Sequence, residues 1–411
     1  MIALQCRNEQ SPDQLKGQLR IEKSSVKIAQ IAPLMESCPP RLYGGTERIV
    51  SYLTEELVRL GHDVTLFASG DSQTSARLEP FSDSALRLDP KIHDPTPHHI
   101  VMLDSVRARA DEFEVLHFHV DVLHYPFIHD FMDRTVTTMH GRLDMPEEKH
   151  LLSAFAEAPL VSISDNQRGS LPSVNWVGTV HHGLPPDLLP FNPTPRGDYI
   201  AYLGRIAPEK GPDRAIEIAS RAGVKLKMAA KIDAVDRAYW ETVIEPLVAA
   251  HSNVEFVGEV ADGEKGTFLG NASALLFPID WPEPFGLVMI EAMACGTPVI
   301  AFRRGSTPEV IDEGVSGFLV DSADDAVAAI GRLGEFDRVR ARRQFEQRFT
   351  AERVAREYVN IYRRLLGVRR ANGETAHRSL SLGASFNLAD GRSGSTQAPL
   401  SIVRGKASPA P

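Results

Sequence analysis

The sequence predicts an α/β fold with two domains, and two observations carry this prediction. Short apolar runs alternate with longer segments in which apolar residues recur every three or four positions, a pattern typical of parallel strands joined by helices. The alternation occurs twice, and a proline-rich segment at 185–197 separates the two series. Because such segments commonly link domains, we predict two Rossmann-like domains that face each other across a cleft, where ligands usually bind.

The composition is that of an ordinary globular protein and argues against several classes. Hydrophobic residues make up 43% of the chain, and the net charge of −9 does not suit a nucleic-acid-binding protein. The three cysteines are widely separated, so neither a disulfide framework nor a zinc cluster is expected. We find no signal peptide and no apolar run of about 18 residues. These features predict a cytoplasmic protein, and they leave open a peripheral contact with the inner membrane face.

The first series of elements follows a polar lead, residues 1–25, that we expect to be disordered, and it forms a first domain at 26–190. A helix is predicted from Thr46, a good N-cap residue, to about Leu60, where Gly61 ends it. A second helix is predicted near 97–112. The predicted strands of this domain lie at 26–33, 63–68, 114–119, 135–139, 160–163 and 176–180.

The second series forms a second domain at 191–345 and repeats the same plan. Its predicted strands lie near 199–203, 224–229, 254–257, 274–278, 298–302 and 317–320. Its predicted helices lie near 212–222, 237–251, 264–272, 287–295, 307–313 and 323–334. A charged segment at 337–367 is also predicted to be helical. The last residues, 369–411, are rich in Ser, Gly, Ala and Pro and are expected to form a disordered tail.

The segment with the most chemistry follows the apolar run at 274–278. Glu283 lies in the loop after this predicted strand, and Glu291 lies about two turns further on, at ~3.6 residues per turn of helix. Ligands of open α/β sheets bind where such loops leave the strands, and backbone N–H groups at a helix start suit an anion. One ligand that carries both phosphates and hydroxyls is therefore able to contact both carboxylates.

Two further loops carry residues that suit a phosphate. Arg205 and Lys210 follow the first strand of the second series, and a guanidinium with an ammonium can clamp a diphosphate. A solvated surface pair is the alternative, but the flanking glycines and the position after a buried strand favour ligand binding. Gly44 and Gly45 open the first helix, where a phosphate or sugar can approach backbone N–H groups, although a simple turn has the same pattern.

The three loops together resemble a known family. Their sequences are Gly44-Gly45-x-Glu47, Gly204-Arg205-x-x-x-Glu209-Lys210-Gly211 and Glu283-Pro-Phe-Gly-Leu-x-x-x-Glu291. In order and spacing they are similar to motifs of glycosyltransferase family four, the retaining enzymes of the GT-B fold, over about residues 26–366. The resemblance implies a GT-B fold in which a C-terminal helix, residues 346–368, returns to the first domain. It also implies metal-independent transfer of a sugar from a nucleotide-diphosphate sugar to an acceptor hydroxyl, with retention of configuration.

The resemblance also implies roles for single residues. Arg205 and Lys210 would bind the donor diphosphate, Glu283 the hydroxyls of the transferred sugar, and Glu291 the ribose hydroxyls. The Phe-Gly-Leu tripeptide would offer backbone N–H groups to the sugar or phosphate. The complete set implied for donor binding is Gly44, Gly45, Arg205, Lys210, Glu283, Phe285, Gly286, Leu287 and Glu291.

Histidines supply the remaining candidates. His140 ends a predicted strand, and the resemblance implies that it reaches the donor sugar and steadies positive charge at the anomeric carbon. The alternative is a strand-end histidine that is hydrogen-bonded to a loop. His117 and His119 are candidates for the acceptor side. With Asp121 and His124 they also form a pattern that can ligate a metal, but a spacing of two only places side chains on one strand face, and we predict no metal site.

The sequence thus predicts a hexosyltransferase that needs no cofactor besides its nucleotide-sugar cosubstrate. It contains neither the Asp-x-Asp motif of metal-dependent glycosyltransferases nor a complete P-loop. Two alternatives stay open: another GT-B enzyme, such as a sugar phosphorylase or a nucleotide-sugar epimerase, or a non-catalytic nucleotide-sugar binding protein. The sequence does not identify the donor nucleotide or sugar, the linkage, or the oligomeric state. The acceptor is equally open and is a sugar, a lipid-linked molecule or a small molecule.

Overall fold

The first sheet contains seven parallel strands in the computed structural model, which describes residues 25–41, 44–171 and 173–384. Its strand order is β3-β2-β1-β4-β5-β6-β7, so that β1 and β4 occupy the centre. The strands are β1 (Lys27–Ile31), β2 (Asp63–Ala68), β3 (Arg77–Pro80), β4 (Val115–Phe118), β5 (Thr135–Thr138), β6 (Leu160–Ser162) and β7 (Trp176–Thr179). All four residues of β4 are buried, as expected for a strand covered on both faces.

The second sheet contains six parallel strands in the order β10-β9-β8-β11-β12-β13. Its strands are β8 (Tyr199–Arg205), β9 (Lys225–Lys231), β10 (Val254–Gly258), β11 (Ala274–Phe277), β12 (Val299–Phe302) and β13 (Gly317–Val320). Strands β8 and β11 are neighbours at its centre. The carboxyl ends of these two strands therefore place the loops with Arg205 and Glu283 side by side.

Helices follow the strands in both halves of the molecule. Those of the first half are α1 (Gly45–Arg59), α2 (Thr96–Ala108), α3 (Pro146–Ala154) and α4 (Asp165–Arg168). The second half begins with α5 (Pro212–Ala222), α6 (Arg237–Tyr239), α7 (Glu245–Ala250), α8 (Asp262–Asn271), α9 (Leu287–Ala294) and α10 (Thr307–Val310). It ends with α11 (Ala323–Gly331), α12 (Arg338–Arg348) and α13 (Ala351–Ala384). The two Rossmann-like sheets and their crossover helices confirm the predicted fold class.

The C-terminal helix returns to the first sheet, as predicted. Tyr358 and Tyr362 of α13 are buried in one apolar cluster with Val115 and Val136 of the central strands. Residues up to Leu366 form one compact unit that includes both sheets. Of the unit that begins at Gly367, only the helical backbone as far as Ala384 is described. The part of α13 that precedes Gly367 thus completes the covering of the first sheet.

Several elements differ from the prediction in detail. Helix α1 begins at Gly45 with Gly44 as its N-cap, so Thr46 lies inside the helix. The segment at 337–367 forms two helices, because the chain is non-helical at Phe349 and Thr350 joins a β-bridge with Leu184. The predicted helix at 237–251 contains a π-helical turn at Trp240–Ile244.

The two ends of the chain lie at the limit of the described residues. Residues 1–24 of the predicted lead and 385–411 of the predicted tail are outside them, while the described helix α13 includes 369–384. Within the described parts of the chain, no helix is both long enough and apolar enough to span a membrane.

Candidate active site

Two cations end neighbouring strands of the second sheet. Arg205 is the last residue of β8 and stands in register with Lys231, the last residue of β9. The Arg205 guanidinium donates to Glu209 at 2.7 Å and lies 3.3 Å from the Asp236 carboxylate. Lys231 pairs with Asp233 at 2.9 Å. Two cations that nearby acids hold in position therefore stand at this edge of the sheet, where ligands of parallel sheets bind.

The loop after β8 also carries Lys210, which contacts the loop after β11. Gly211 follows it with a φ of 67°, and a Cβ there would lie 2.3 Å from the Pro278 carbonyl oxygen, so the tight turn requires glycine. Lys210 forms an ion pair with Glu283, and its ammonium lies 4.5 Å from the centroid of the Trp281 ring. The Trp281 indole N–H donates to the same Glu283 oxygen at 2.8 Å. A cation, a carboxylate and an indole thus form one cluster.

The N-terminus of α9 lies next to this cluster and opposite the first sheet. Gly286 is the N-cap of α9, with a φ of 81°, and the preceding Phe285 carbonyl accepts a hydrogen bond from Ser306 at 2.8 Å. A Cβ on Gly45 would lie 4.0 Å from Leu287 Cδ1. The starts of α1 and α9 therefore face each other at about van der Waals distance.

Glu291 lies on α9, is only 6% exposed, and belongs to an ion network that joins the two halves. Its carboxylate pairs with Lys265 of α8 at 3.1 Å, and Lys265 pairs with Asp262 at 3.1 Å. Asp262 in turn pairs with Arg48 of α1. Burial by itself would lower the pKa of Lys265, but the carboxylates of Glu291 and Asp262 outweigh it and the pKa is raised. Lys265 therefore stays charged beside Glu291.

A buried carboxyl group holds the glycine turn of the first sheet. Glu47, in the first turn of α1, is 4% exposed and accepts a hydrogen bond from the Glu36 backbone N–H at 3.3 Å. Burial raises the pKa of Glu47 to about 6. A Cβ on Gly44 would lie 2.9 Å from Pro40, so the turn is tightly packed. These contacts fix the turn that places Gly45 opposite α9.

His140 follows β5, and its ring contacts His182, which in turn contacts the second half of the molecule. Its ring stacks on His182, with centroids 5.2 Å apart, and His182 meets the Phe285 ring edge-on at 5.0 Å. His140 Nε2 lies 2.8 Å from His119 Nδ1. Burial lowers the pKa of His140 to about 3, so the ring is neutral at pH 7. The structure thus brings His140 close to the segment that follows Glu283.

His117 and His119 lie inside the first sheet rather than on an open surface. His117 is fully buried, and its two ring nitrogens lie 2.7 Å from the Tyr362 hydroxyl and 2.7 Å from the Thr138 hydroxyl. His119 is 1% exposed and contacts Gln30 and His140. In this arrangement neither ring meets an acceptor directly, and their role on the acceptor side stays a prediction. Across the described ranges, no group of His, Cys, Asp or Glu is arranged to hold a metal ion.

Sequence reasoning assigns no role to several members of these clusters, among them Trp281, Gln30 and His182. Trp281 lies in the predicted loop two residues before Glu283, and this proximity in sequence is the signal that could have found it. Gln30 is a polar residue in an otherwise buried apolar strand, which signals an internal hydrogen bond. No sequence signal indicates the stacking of His182 on His140, because that contact depends on tertiary packing.

Family models match both halves of the chain. The model described as Glycosyl transferases group 1 matches residues 191–348, and the model described as Glycosyltransferase Family 4 matches residues 43–163. Together they match more than half of the chain. The first covers the site residues from Arg205 to Glu291, and the second covers the glycine turn and His140.

Curated relatives agree with these matches. An uncharacterized glycosyltransferase of Methanocaldococcus jannaschii is 23% identical over 81% of this chain and 98% of the relative. A D-inositol 3-phosphate glycosyltransferase of Mycolicibacterium smegmatis is 33% identical, but the match covers only 30% of this chain and 29% of the relative. The similarity to the second relative is therefore that of a segment.

Solved structures share the fold over nearly their whole length. Sucrose-phosphate synthase from Thermosynechococcus elongatus has a TM-score of 0.68 at 20% identity and covers 83% of this chain and 99% of its own. AviGT4, a glycosyltransferase of avilamycin A biosynthesis, has a TM-score of 0.64 at 22% identity, with coverages of 83% and 98%. Anabaena HepE, solved in complex with UDP, has a TM-score of 0.64 at 17% identity, with coverages of 81% and 98%.

The family matches confirm the resemblance, and the shared architecture confirms the GT-B fold. Members of this family use a nucleotide sugar, retain the configuration of the transferred sugar and need no metal ion. Because family models match both halves of the chain, the chain belongs to glycosyltransferase family 4 and is a nucleotide-sugar-dependent glycosyltransferase.

Proposed function

We propose that the second half of the molecule binds the donor and that the first half binds the acceptor. The domain boundaries proposed for these roles are 26–190 and 191–345, with 346–368 as the returning helix. The observation that carries the proposal is the cluster in which Glu283 meets both Lys210 and Trp281 at the carboxyl edge of the second sheet. In this cluster, the cation that we propose for the phosphate and the carboxylate that we propose for the hydroxyls contact each other.

In the proposed mode of binding, Arg205 and Lys210 contact the diphosphate. Glu283 accepts hydrogen bonds from hydroxyls of the transferred sugar, and Glu291 accepts them from the ribose. The backbone N–H groups at the start of α9 and the turn at Gly45 lie against the sugar and the phosphates, since these two segments face each other. His140 lies on the opposite side of the sugar. The remaining proposed contacts are Gly44, Phe285, Gly286 and Leu287.

The proposed mechanism is stabilisation of the leaving group. When the bond between the anomeric carbon and the diphosphate breaks, negative charge grows on the phosphate oxygens beside Arg205 and Lys210. Charges fixed before the reaction need no reorganisation, and removal of one such donor typically costs about 10²–10³ in rate. The acceptor hydroxyl attacks from the same face, and the leaving diphosphate takes its proton, which retains the configuration.

We propose a uridine-diphosphate hexose as the donor, since Anabaena HepE, a protein of the same fold, has been solved with UDP and with UDP-glucose. The sugar would be a hexose, and the acceptor would be a sugar, a lipid-linked molecule or a small molecule. A diphosphate held by Arg205 and Lys210 needs no metal bridge, because the two side chains supply the countercharge.

The experiment that tests the proposal measures nucleotide release from a panel of UDP, GDP and ADP sugars, with and without EDTA and with simple sugars as acceptors. We expect nucleotide release from UDP-hexoses to be faster than release from GDP and ADP sugars, with one UDP-hexose preferred. EDTA should leave the rate unchanged. Release that depends on inorganic phosphate, or an altered sugar without release, would indicate a phosphorylase or an epimerase. Absence of both release and nucleotide binding would contradict the proposed site.

A further inference from the structure

A chain of hydrogen bonds connects His140 to the C-terminal helix through the centre of the first sheet. His140 Nε2 lies 2.8 Å from His119 Nδ1, and His119 Nε2 lies 2.8 Å from the Gln30 side-chain oxygen. The Gln30 amide nitrogen donates to the Tyr362 hydroxyl at 3.2 Å. That hydroxyl lies 2.7 Å from His117 Nδ1. Gln30 is thus the centre of a continuous buried network.

The histidines of this network are uncharged. Burial lowers the pKa of His140 to about 3. Burial also lowers the pKa values of His119 and His117 well below their ordinary range, and the neighbouring histidines lower them further. A neutral imidazole carries one proton, so one ring nitrogen donates and the other accepts. The position of each proton is therefore set by the partners of the ring.

These partners fix the proton positions step by step. The Gln30 oxygen can only accept a hydrogen bond, so His119 Nε2 carries the proton and His119 Nδ1 accepts. His140 Nε2, which lies opposite His119 Nδ1, must then donate. The proton of His140 is consequently on Nε2, and its Nδ1 has a free lone pair.

The same assignment satisfies the other end of the network. The Tyr362 hydroxyl accepts from Gln30 and donates to His117 Nδ1, which leaves the His117 proton on Nε2. That nitrogen lies 2.7 Å from the Thr138 hydroxyl, to which it donates. Every member from Tyr362 to His140 Nε2 thus has a complementary partner, which a buried polar network needs for its stability.

The lone pair at the end of the chain is unpartnered in the protein. His140 Nδ1 is buried and has no hydrogen-bond partner, and its ring lies against His182, which contacts Phe285 of the donor loop. A buried acceptor without a partner costs stability. A ligand hydroxyl is the group that would satisfy it at this position.

We propose that Gln30 and His119 are positioning residues that hold His140 in its Nε2–H tautomer, so that His140 Nδ1 accepts a hydrogen bond from a hydroxyl of the reacting sugars. The inference rests on the proposed place of His140 beside the donor sugar. It adds an atom-level assignment: the histidine acts as a neutral acceptor, and a residue in the middle of β1 decides whether the nitrogen that faces the ligand carries a proton.

The direct test is the proton position, which needs no turnover. In histidine-labelled full-length protein, two-bond ¹H–¹⁵N correlation spectra distinguish the two neutral tautomers, and His140→Gln identifies the signal. We expect His140 to be protonated at Nε2 only, in wild type and in Gln30→Glu, which keeps an acceptor for His119. Gln30→Leu should give a mixture of tautomers. Protonation of wild-type His140 at Nδ1 would overturn the proposal.

Kinetics supply a second readout. Gln30→Leu is expected to lower kcat/KM about tenfold, the effect of one neutral hydrogen bond made in the transition state, and Gln30→Glu is expected to recover most of it. Tyr362→Phe is the matched control, because it removes a hydrogen bond of the same network but leaves the Gln30 contact with His119 in place. Equal losses in Gln30→Leu and Tyr362→Phe would indicate a merely structural role and overturn the proposal.

A comparison of two rates distinguishes the sources of the hydroxyl. If it belongs to the donor sugar, Gln30→Leu lowers both donor hydrolysis without acceptor and transfer to acceptor; if it belongs to the acceptor, only transfer falls. Unchanged rates of both kinds would contradict the proposal. If the wild type releases nucleotide from no donor, the proposed function fails, whereas the tautomer result stands independently.

Discussion

The two sides of the cleft use opposite kinds of chemistry. On the side of the second sheet, Arg205, Lys210 and Glu291 are charged and lie in ion pairs with neighbouring groups. On the side of the first sheet, His140 and His119 are neutral and buried and are joined by hydrogen bonds. Each side lies at the ends of parallel strands, so the difference does not come from the fold but from the residues that end those strands.

The difference fits the charges that develop when a nucleotide sugar reacts. The leaving diphosphate becomes more negative, and fixed cations stabilise it. The anomeric carbon becomes more positive, and a cation on that side would oppose the reaction. Neutral histidines that keep a lone pair avoid this repulsion. We infer that burial on the first side serves to keep His140 uncharged, while partial exposure on the second side allows the cations to contact the ligand.

The largest expected effect is the loss of a cation from the second side. We predict that Arg205→Ala and Lys210→Ala each lower the turnover number by about 10²–10³, because each removes one fixed donor to the leaving group. The measurement is nucleotide release from the preferred donor at saturation, with the fold checked by circular dichroism.

Matched controls are available on the same half of the molecule. Arg221 and Lys225 are exposed cations that form ion pairs away from the cleft, with Asp324 and Asp198. Arg221→Ala and Lys225→Ala should leave turnover within about twofold of wild type, since surface ion pairs contribute little. Near-normal turnover of Lys210→Ala would contradict the assignment of the diphosphate site.

The two carboxylates should separate transfer from binding. We predict that Glu283→Ala lowers the transfer rate by at least tenfold and leaves nucleotide diphosphate affinity within about threefold, because its partner is the sugar. Glu291→Ala should instead weaken nucleotide affinity by about tenfold, the effect of a hydrogen bond to a charged group. Kinetics and calorimetry measure the two effects, with Glu255→Ala as an exposed carboxylate control. The reverse pattern would exchange the two roles.

The remaining prediction concerns stability, through the buried carboxyl group of the first side. Burial raises the pKa of Glu47 from 4.5 to about 6, so the folded protein holds its proton more tightly than the unfolded chain does. Its contribution to the free energy of unfolding therefore falls as the pH rises from about 4.5 to about 6. Glu47→Gln removes this loss and should raise the free energy of unfolding by about 2 kcal/mol at pH 7.5, but not at pH 4.

Urea unfolding of wild type and Glu47→Gln at the two pH values measures this difference, and the pair at pH 4 is the control. A gain that is equal at both pH values would show that packing, not ionisation, is responsible. A gain confined to pH 7.5 would show that the Glu47 carboxylate destabilises the first side, whereas Glu283 and Glu291 on the second side pair with cations.

Much of the fold follows from local patterns. The strands β8 and β11 and the helix α5 fall where apolar runs and periodicity predict them, because both faces of these strands are covered. The short edge strand β3 has no fully buried residue and therefore no apolar run to indicate it. The break at Phe349 is also invisible locally, since it depends on the bridge between Leu184 and Thr350.

In the candidate site, too, some residues are predictable from local sequence and others only from tertiary contacts. Charged residues in glycine-flanked loops are visible in sequence, and the structure brings Lys210 and Glu283 into contact. The partners of His140 are not visible in this way, because Gln30 and His182 come from distant segments and are placed by the packing of parallel strands. The pairing of Lys265 with Glu291 likewise depends on the contact of two helices.

We propose above all that the second side supplies the cations that bind the diphosphate. The most direct test is calorimetric titration of UDP, with GDP and ADP for comparison, into wild type, Lys210→Ala and His140→Ala. We predict that the affinity for the preferred diphosphate falls at least tenfold in Lys210→Ala and stays within about twofold in His140→Ala. Equal affinity in wild type and Lys210→Ala, or a loss only in His140→Ala, would contradict it.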